Sequence, residues 1–493
     1  MLKSIVLVAG PLVAATILFL PGPADLPLSG KAVAAVAVLM ALWWMSEAIP
    51  IAVTALLPLI LFPPLGIASI ETTARAYAHP LIFLFLGGFL MARAMERWEL
   101  NRRIAYRILR YSTDRPAGII AGVMVATAFL SMWVSNTATA MMMLPIGQSI
   151  ILTVRKTAED AKPADVSAFA SALMLGIAYA ATIGGMGTLI GTPPNALFAS
   201  FMAEVFFIEI SFARWMLIGV PAVLVMLPLT WLVLTQLVFP LSPSLPIFRH
   251  KRFEKRVGKI GPMSPAEKRV ALLLVIAALG WIFRPLIETY VPELALSDAG
   301  IAITIATMLF MTPSNKVSGR FPRFWEAARK PEEFLLTWDD AMKLRWDVLI
   351  LFGGGLALAN MIGASGLATW IAGATSGLGE LPWIVLIAIV AAVVIFLGEL
   401  ASNTAIAAVF LPIAAAAAFG LGIHPTLLAM SVALAASLGF MLPVATPPNA
   451  IIYGSGAVDI RDMLRAGIVL DLIGVAVVAL LAATVGSWAL GLG

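Results

Sequence analysis

The sequence predicts an all-α polytopic membrane protein, folded as an inverted repeat with two re-entrant hairpins and two broken helices. Three observations carry that reading. Of the 493 residues 61% are apolar and only 12% charged, with a mean hydropathy of +0.98, against about 25% charged residues in a soluble protein. Ser135-Asn136-Thr137 recurs as Ser402-Asn403-Thr404, 267 residues on, each inside an apolar run. Gly191-Thr192-Pro193-Pro194-Asn195 likewise recurs as Ala445-Thr446-Pro447-Pro448-Asn449, at an offset of 254. The larger offset also pairs Pro145 with Pro412, Gly87-Gly88 with Gly354-Gly355, and Leu100 with Leu367. Paired interruptions of this kind in two halves mark a duplicated membrane fold.

Taken in order, apolar spans are expected near 4–21, 32–48, 50–67 (Pro50 separating the second from the third) and 78–95. Arg102, Arg103, Arg107 and Arg110 then recur among apolar residues at helical spacing, the pattern of a helix lying on the membrane surface. The run 116–153 is interrupted at its middle by Ser-Asn-Thr, leaving halves too short to cross, so a re-entrant hairpin is expected. A fifth span near 167–207 is broken at the first Pro-Pro motif, and a sixth covers 212–238. The basic segment 240–268 holds Arg249, Lys251, Arg252, Lys255, Arg256 and Lys259; spans near 268–288 and 294–312 and a polar linker at 313–345 follow. The first pattern then returns: span nine at 347–363, a surface helix at 364–377, a hairpin at 381–418, a broken span at 425–457 and a last span at 464–490. That makes about eleven spans and two hairpins.

Charge tests the count. With a cytoplasmic N-terminus, segments 97–115, 153–166, 240–270 and 313–346 all fall inside and carry 24 of the 32 Lys and Arg, as the positive-inside rule requires. Five crossings separate the start of span four from the start of span nine. An odd number inverts the second copy, so the hairpins enter from opposite faces. The apolar N-terminal stretch has no clear cleavage site and reads as the first span.

Backbone polar groups in hydrocarbon must be satisfied, so hairpin tips and Pro-Pro breaks must line a cavity or be buried in protein. Ser, Asn and Thr cap the half-helix that follows while leaving amides free for a ligand, and a helix N-terminus attracts carboxylate or phosphate oxygens. Proline frees carbonyls of the preceding turn, which suit a hard cation such as Na⁺. Neither hairpin contains Lys or Arg, so the countercharge for an anion falls to a cotransported cation. A single Ser-Asn-Thr would read as interhelical polar packing. Two copies, each followed by a Pro-Pro break, argue for a site. The Gly87-Gly88 and Gly354-Gly355 pairs read as close helix packing.

The runs SNTATAMMMLPI and SNTAIAAVFLPI and the two TPPN loops resemble those of the divalent anion/sodium symporter family, dicarboxylate-transporter type. The likeness covers most of the chain. It implies an elevator-type transporter, a homodimer with scaffold and transport domains. These would be scaffold spans 1–4 with the interfacial helix (1–115), first transport half (116–238), scaffold spans 7–9 with the basic linkers (239–380) and second transport half (381–493). The implied substrate residues are Ser135, Asn136, Thr137, Ser402, Asn403, Thr404, Thr446 and Pro447. The implied first Na⁺ site takes Ser131, Ser135, Asn136 and backbone from Gly187 to Thr192; the second takes Ser402, Asn403 and backbone near Ala445. Ser131 pairs with Gly398 where similarity leads one to expect a hydroxyl, so the second site has one side-chain oxygen fewer.

Glu399 reads two ways, as a group for ion or proton coupling or as a carboxylate bonded to hairpin backbone. Asp471 reads as a weaker candidate for the same role beside a structural one, Glu47 as a span-end anchor or domain contact, and Trp43, Trp44 and Trp370 as interfacial aromatics. There is no cysteine, and the three histidines lack metal-site spacing. No GxSxG, HExxH or P-loop is present, which argues against an enzyme. A continuous pore is not indicated, nor is a nucleic-acid partner. The expected function is Na⁺-coupled symport of a C4-type dicarboxylate (succinate, fumarate or malate class) by alternating access, in the plasma (inner) membrane. No cofactor is expected beyond Na⁺ as coupling ion. The alternatives are dicarboxylate or citrate exchange without Na⁺, and symport of sulfate or another divalent oxyanion.

Overall fold

The computed structural model describes residues 2–23, 25–111, 115–157, 162–241, 261–314 and 334–489. The basic cluster Arg249 to Lys259 and most of the 313–345 linker lie outside them. Nine helices among the described residues are long and apolar enough to cross a membrane, or ten if Leu367–Leu378 and Trp383–Gly398, bent by 118°, count as one span. That set includes the return arms of both expected hairpins and omits shorter apolar helices such as Lys3–Phe19, Asp298–Met311 and Pro425–Ala436. The expected third span is two short helices, Ile51–Thr54 and Leu57–Leu61. Pro50, Pro58, Pro63 and Pro64 in that stretch each remove a backbone donor and prevent one continuous helix.

The first hairpin has arms Pro116–Ser131 and Asn136–Thr157, and the long helix Pro163–Gly185 of the first broken span reveals its reversal. A Cβ built on Gly176 would meet Ile120 and Met124, and one on Gly184 would meet Ala128, so the first arm runs with the long helix. A Cβ on Gly185 would meet Asn136, whereas one on Gly147 would meet Ile177, so the second arm runs against it. The chain therefore turns back between residues 132 and 135. The second hairpin, Trp383–Gly398 and Asn403–Gly420, closes likewise: a Cβ on Gly379 would lie 3.4 Å from Gly420 O, joining its outer ends.

Ion pairs sort the loops by side. Arg97 pairs with Asp340, Trp98 Nε1 donates to Leu335 O at 2.8 Å, and Arg103 Nε donates to Glu267 Oε1 at 2.9 Å. The end of helix Pro80–Arg97 and the start of Leu100–Leu109 thus share one face with the starts of Pro265–Tyr290 and Trp346–Ala364. On the other face, buried Arg284 bonds Glu209, Glu288 and Asp298, while Asp298 Oδ2 accepts from Phe212 N at 2.7 Å. The first hairpin starts from the face of Arg97 and Glu267. The second starts after Trp346–Ala364 has crossed, hence from the opposite face.

The repeat extends into the backbone where the letters differ. Glu99 and Gly366, 267 positions apart, both have left-handed φ (+52° and +82°), and each turns a span into the surface helix that follows it. Glycine accepts that geometry freely; glutamate does so at a cost. Close packing at the paired glycines is also present: a Cβ on Gly87 would meet Ala302 at 2.6 Å, and one on Gly354 would meet Ala55 O at 2.3 Å. Glu47 ends its helix in left-handed conformation and pairs with Lys3 at 3.3 Å. Trp44 departs from the interfacial expectation. It is fully buried, its indole N–H donating at 3.1 Å to Ile51 O, a carbonyl at the start of the broken third span that also accepts from Ala55 N.

Gly184 lies against backbone: a Cβ there would be 2.2 Å from Ala128 O. Gly184→Ala should lower the stability of the purified protein by about 1–3 kcal/mol, read as a drop in thermal midpoint. Gly373→Ala, where a Cβ meets nothing within 4 Å, should leave it unchanged or raised.

Candidate functional site

Each hairpin tip docks on the break of its own repeat's broken span. In the first repeat Ser135 Oγ accepts from Ala138 N at 3.3 Å, the cap expected for a half-helix start. Ser131 Oγ lies 2.7 Å from Asn136 Oδ1 and 2.6 Å from Ala181 O. One hydroxyl proton cannot fully serve two acceptors. Three oxygens therefore converge with too few protons, a setting that suits a hard cation. Thr188 Oγ1 donates to Met132 O, tying the tip to the break. Ser135, Asn136 and Thr137 are half-buried, so the tip keeps an open side.

The break between Gly185 and Pro193 is held by a residue the motif reading did not single out. Asn195 is fully buried, and its Nδ2 donates to Gly185 O (3.1 Å), Met186 O (3.3 Å) and Thr188 O (2.7 Å). It thereby satisfies carbonyls that the interrupted helix releases. Gly191 must be glycine, since a Cβ would lie 2.4 Å from Gly185 O. Gly187 N donates back to Gly184 O at 2.9 Å, and Thr192, extended and buried, precedes the half-helix Pro193–Phe206. Ser131, Ser135, Asn136, Gly187 and Thr192 thus belong to one hairpin-and-break unit.

The second repeat builds the same frame with different chemistry. Asn449 Nδ2 donates to Gly439 O (3.2 Å) and Leu442 O (3.1 Å), the positions matching Gly185 and Thr188 at offset 254. Thr446 Oγ1 accepts from Asn449 N at 3.3 Å and caps the half-helix Pro447–Gly454. Pro447 is exposed, Ala445 is buried, and Ala445 N donates to Leu442 O at 3.2 Å. Ser402 makes no side-chain cap, unlike Ser135. At Gly398 there is no hydroxyl, and Asn403 Oδ1 is buried without a hydrogen-bond partner, where Asn136 Oδ1 has Ser131. The hairpin grips its break instead through Glu399, whose Oε1 accepts from Met441 N at 2.9 Å and Oε2 from Leu442 N at 2.7 Å. Glu399 therefore bonds backbone at the break's amides rather than within its own hairpin.

The repeats interlock. Tyr179 OH donates to Phe440 O at 2.8 Å, and Ser171 Oγ to Asp462 Oδ2 at 2.8 Å, fastening the first broken span to the second half. Half-helix Pro447–Gly454 packs on the first hairpin's return arm, and half-helix Pro193–Phe206 on the second's. Asn195 and Asn449 were visible as the last letter of both Pro-Pro motifs; lone Tyr179 in an apolar run gives no signal.

Residues 2–492 match the family model described as the sodium:sulfate symporter transmembrane region. The chain is 40% identical over 478 residues to a protein of Staphylococcus saprophyticus named sodium-dependent dicarboxylate transporter SdcS, covering 96% of this chain and 89% of that one. A Staphylococcus aureus (strain USA300) protein of the same name is 41% identical over 480 residues, with the same coverage. Among solved structures, the YdaH transporter of Alcanivorax borkumensis superposes with a TM-score of 0.52 at 15% identity, covering 85% of this chain and 88% of that one. MtrF of Neisseria gonorrhoeae gives 0.53 at 14%, covering 84% and 83%. At such identities the two structures share the fold only.

If the asparagine amides hold the breaks open, Asn195→Ala and Asn449→Ala should each cost about 1–3 kcal/mol, from buried carbonyls left unpaired. Thermal unfolding of the purified variants checks this, and midpoints equal to the parent's would refute it.

Proposed function

The chain belongs to the sodium:sulfate symporter family, and from that premise we propose that it is a secondary active transporter coupling Na⁺ entry to uptake of a C4-type dicarboxylate. The observation that carries the proposal is the pair of hairpin tips, each a half-buried Ser-Asn-Thr at a helix N-terminus, entering from opposite faces. Two similar half-sites suit an anion with two similar ends. The relatives named sodium-dependent dicarboxylate transporters support the same substrate class over sulfate.

In this reading Ser135, Asn136 and Thr137 bind one carboxylate, and Ser402, Asn403, Thr404, Thr446 and Pro447 the other. One Na⁺ sits among Ser131, Ser135, Asn136 and the Gly187–Thr192 backbone. A second sits at Ser402, Asn403 and the backbone of Ala445. The cations lower the cost of bringing a dianion into a protein interior whose hairpin runs 116–153 and 381–418 hold no Lys or Arg. The hairpins and broken spans (116–238 and 381–493) form the moving half, and 1–115 with 239–380 form the scaffold of a homodimer. The N-terminus is cytoplasmic and the membrane is the plasma membrane. The clustering of Arg97, Arg103, Glu267 and Asp340 on one face agrees with that orientation.

Uptake into proteoliposomes tests the coupling: radiolabelled succinate should accumulate with an inward Na⁺ gradient and not with choline in its place. Na⁺-indifferent uptake stimulated by internal dicarboxylate would establish exchange instead. Asn136→Ala and Asn403→Ala should each weaken succinate binding about 10- to 100-fold, the effect of losing a hydrogen bond to a charged group. Wild-type affinity in either variant would remove that tip from the site.

A further inference from the structure

The second break carries a charge that the first lacks. Glu399 is 1% exposed and Asp471, on the last span Ile460–Leu481, is 0% exposed. Glu399 spends both oxygens on the amides of Met441 and Leu442, whereas the only amide near Asp471 is that of Phe440, with no well-formed hydrogen bond to either of its oxygens. Two flanking glycines show where Asp471 points. Gly467 and Gly474, four residues before and three after, share its helix face. A Cβ on Gly467 would lie 2.4 Å from Met441 Cα, and one on Gly474 would meet Leu438 at 2.8 Å and Ile395 at 3.6 Å. Asp471 therefore faces the break loop and the end of the hairpin arm, where it lies beside Glu399.

Among the described residues no countercharge approaches the pair. The other titratable groups facing it are Tyr179, whose hydroxyl donates to Phe440 O, and Asp462, which Ser171 holds. The hairpin arm Trp383–Gly398 and the helix Pro425–Ala436, both packed on the last span, contain no Lys or Arg. Helix Phe212–Leu232 contributes only Arg214, bound to Ala489 O. Arg461 and Arg465 lie at the start of the last span itself. Two adjacent buried carboxylates cannot both stay ionised without a cation between them. The position matching Glu399 in the first repeat is Met132, so this demand belongs to the second break alone.

We propose that Glu399 and Asp471 jointly hold one monovalent cation, a proton or Na⁺, and exchange it as the second break moves during transport. The pair supplies by charge what Gly398 does not supply by hydroxyl. The exchange rests on the transport reading; the presence of the cation does not.

Two measurements decide it. Infrared difference spectra of purified wild type, recorded with and without Na⁺ and across pH, should show a carboxyl signal that responds to one of the two and disappears in Asp471→Asn. Response to pH alone identifies a proton; response to Na⁺ at fixed pH identifies Na⁺. In proteoliposomes, reversal-potential measurements should show Asp471→Asn carrying about one positive charge fewer per dicarboxylate. Glu399→Gln replaces it if Asp471→Asn does not fold. A signal indifferent to Na⁺, pH and succinate, or an unchanged charge per dicarboxylate in a folded variant, would overturn the proposal. Wild type without Na⁺-driven uptake would overturn the transport reading instead, leaving the infrared experiment to decide whether the pair holds an exchangeable cation.

Discussion

An interrupted helix inside an apolar bundle must account for every carbonyl and amide it releases, and the rest of this structure follows from how that is done. The break at 186–192 is buried throughout and the one at 437–446 is buried except around 441–444, and a buried backbone group left unpaired costs about 1–3 kcal/mol. Asn195 and Asn449 meet the cost for the carbonyls, each side-chain amide standing in for the missing helical donors. With the breaks so held, the helices on either side can end and restart without collapsing. The hairpin tips dock against a fixed surface as a result.

The same frame carries two kinds of ion chemistry. In the first repeat the hairpin meets its break through neutral groups: the break's Thr188 Oγ1 donates to Met132 O, and the Ser131 hydroxyl is shared between Asn136 Oδ1 and Ala181 O of the adjoining helix. In the second it meets the break as an acceptor, through the carboxylate of Glu399 on two amides. One junction is neutral and the other is anionic. A protein that moves a dianion through low-dielectric surroundings gains from both, since neutral oxygens coordinate a cation without binding it too tightly and a carboxylate raises local affinity for one. The interlocking of the halves through Tyr179 and Phe440 places the two junctions in one mechanical unit.

Much of this was legible from the letters. Apolar runs of spanning length, the two offsets of 267 and 254, and the clustering of Lys and Arg led to the inverted repeat and to both hairpins. Even the inequivalence of Ser131 and Gly398 could be read by aligning the halves. What stayed hidden depends on distance in space. Trp44 looked interfacial because its neighbours are apolar, yet it is buried, its indole N–H on Ile51 O of the next segment. Asp471 looked structural because one acid in a long apolar helix has no partner in sequence. Its neighbour Glu399 is 72 residues away and reaches it only through the fold.

The sequence by itself determined the helices, their order, their inversion and the residues at each tip, because hydropathy, proline and repetition are local or periodic properties. Tertiary structure decided which carbonyls the asparagines hold, which amides Glu399 takes and what Asp471 faces. Those are pairings between segments far apart in the chain. They are set by packing distances at residues such as Gly184, Gly191 and Gly467, where the absence of one methyl group lets two backbones meet.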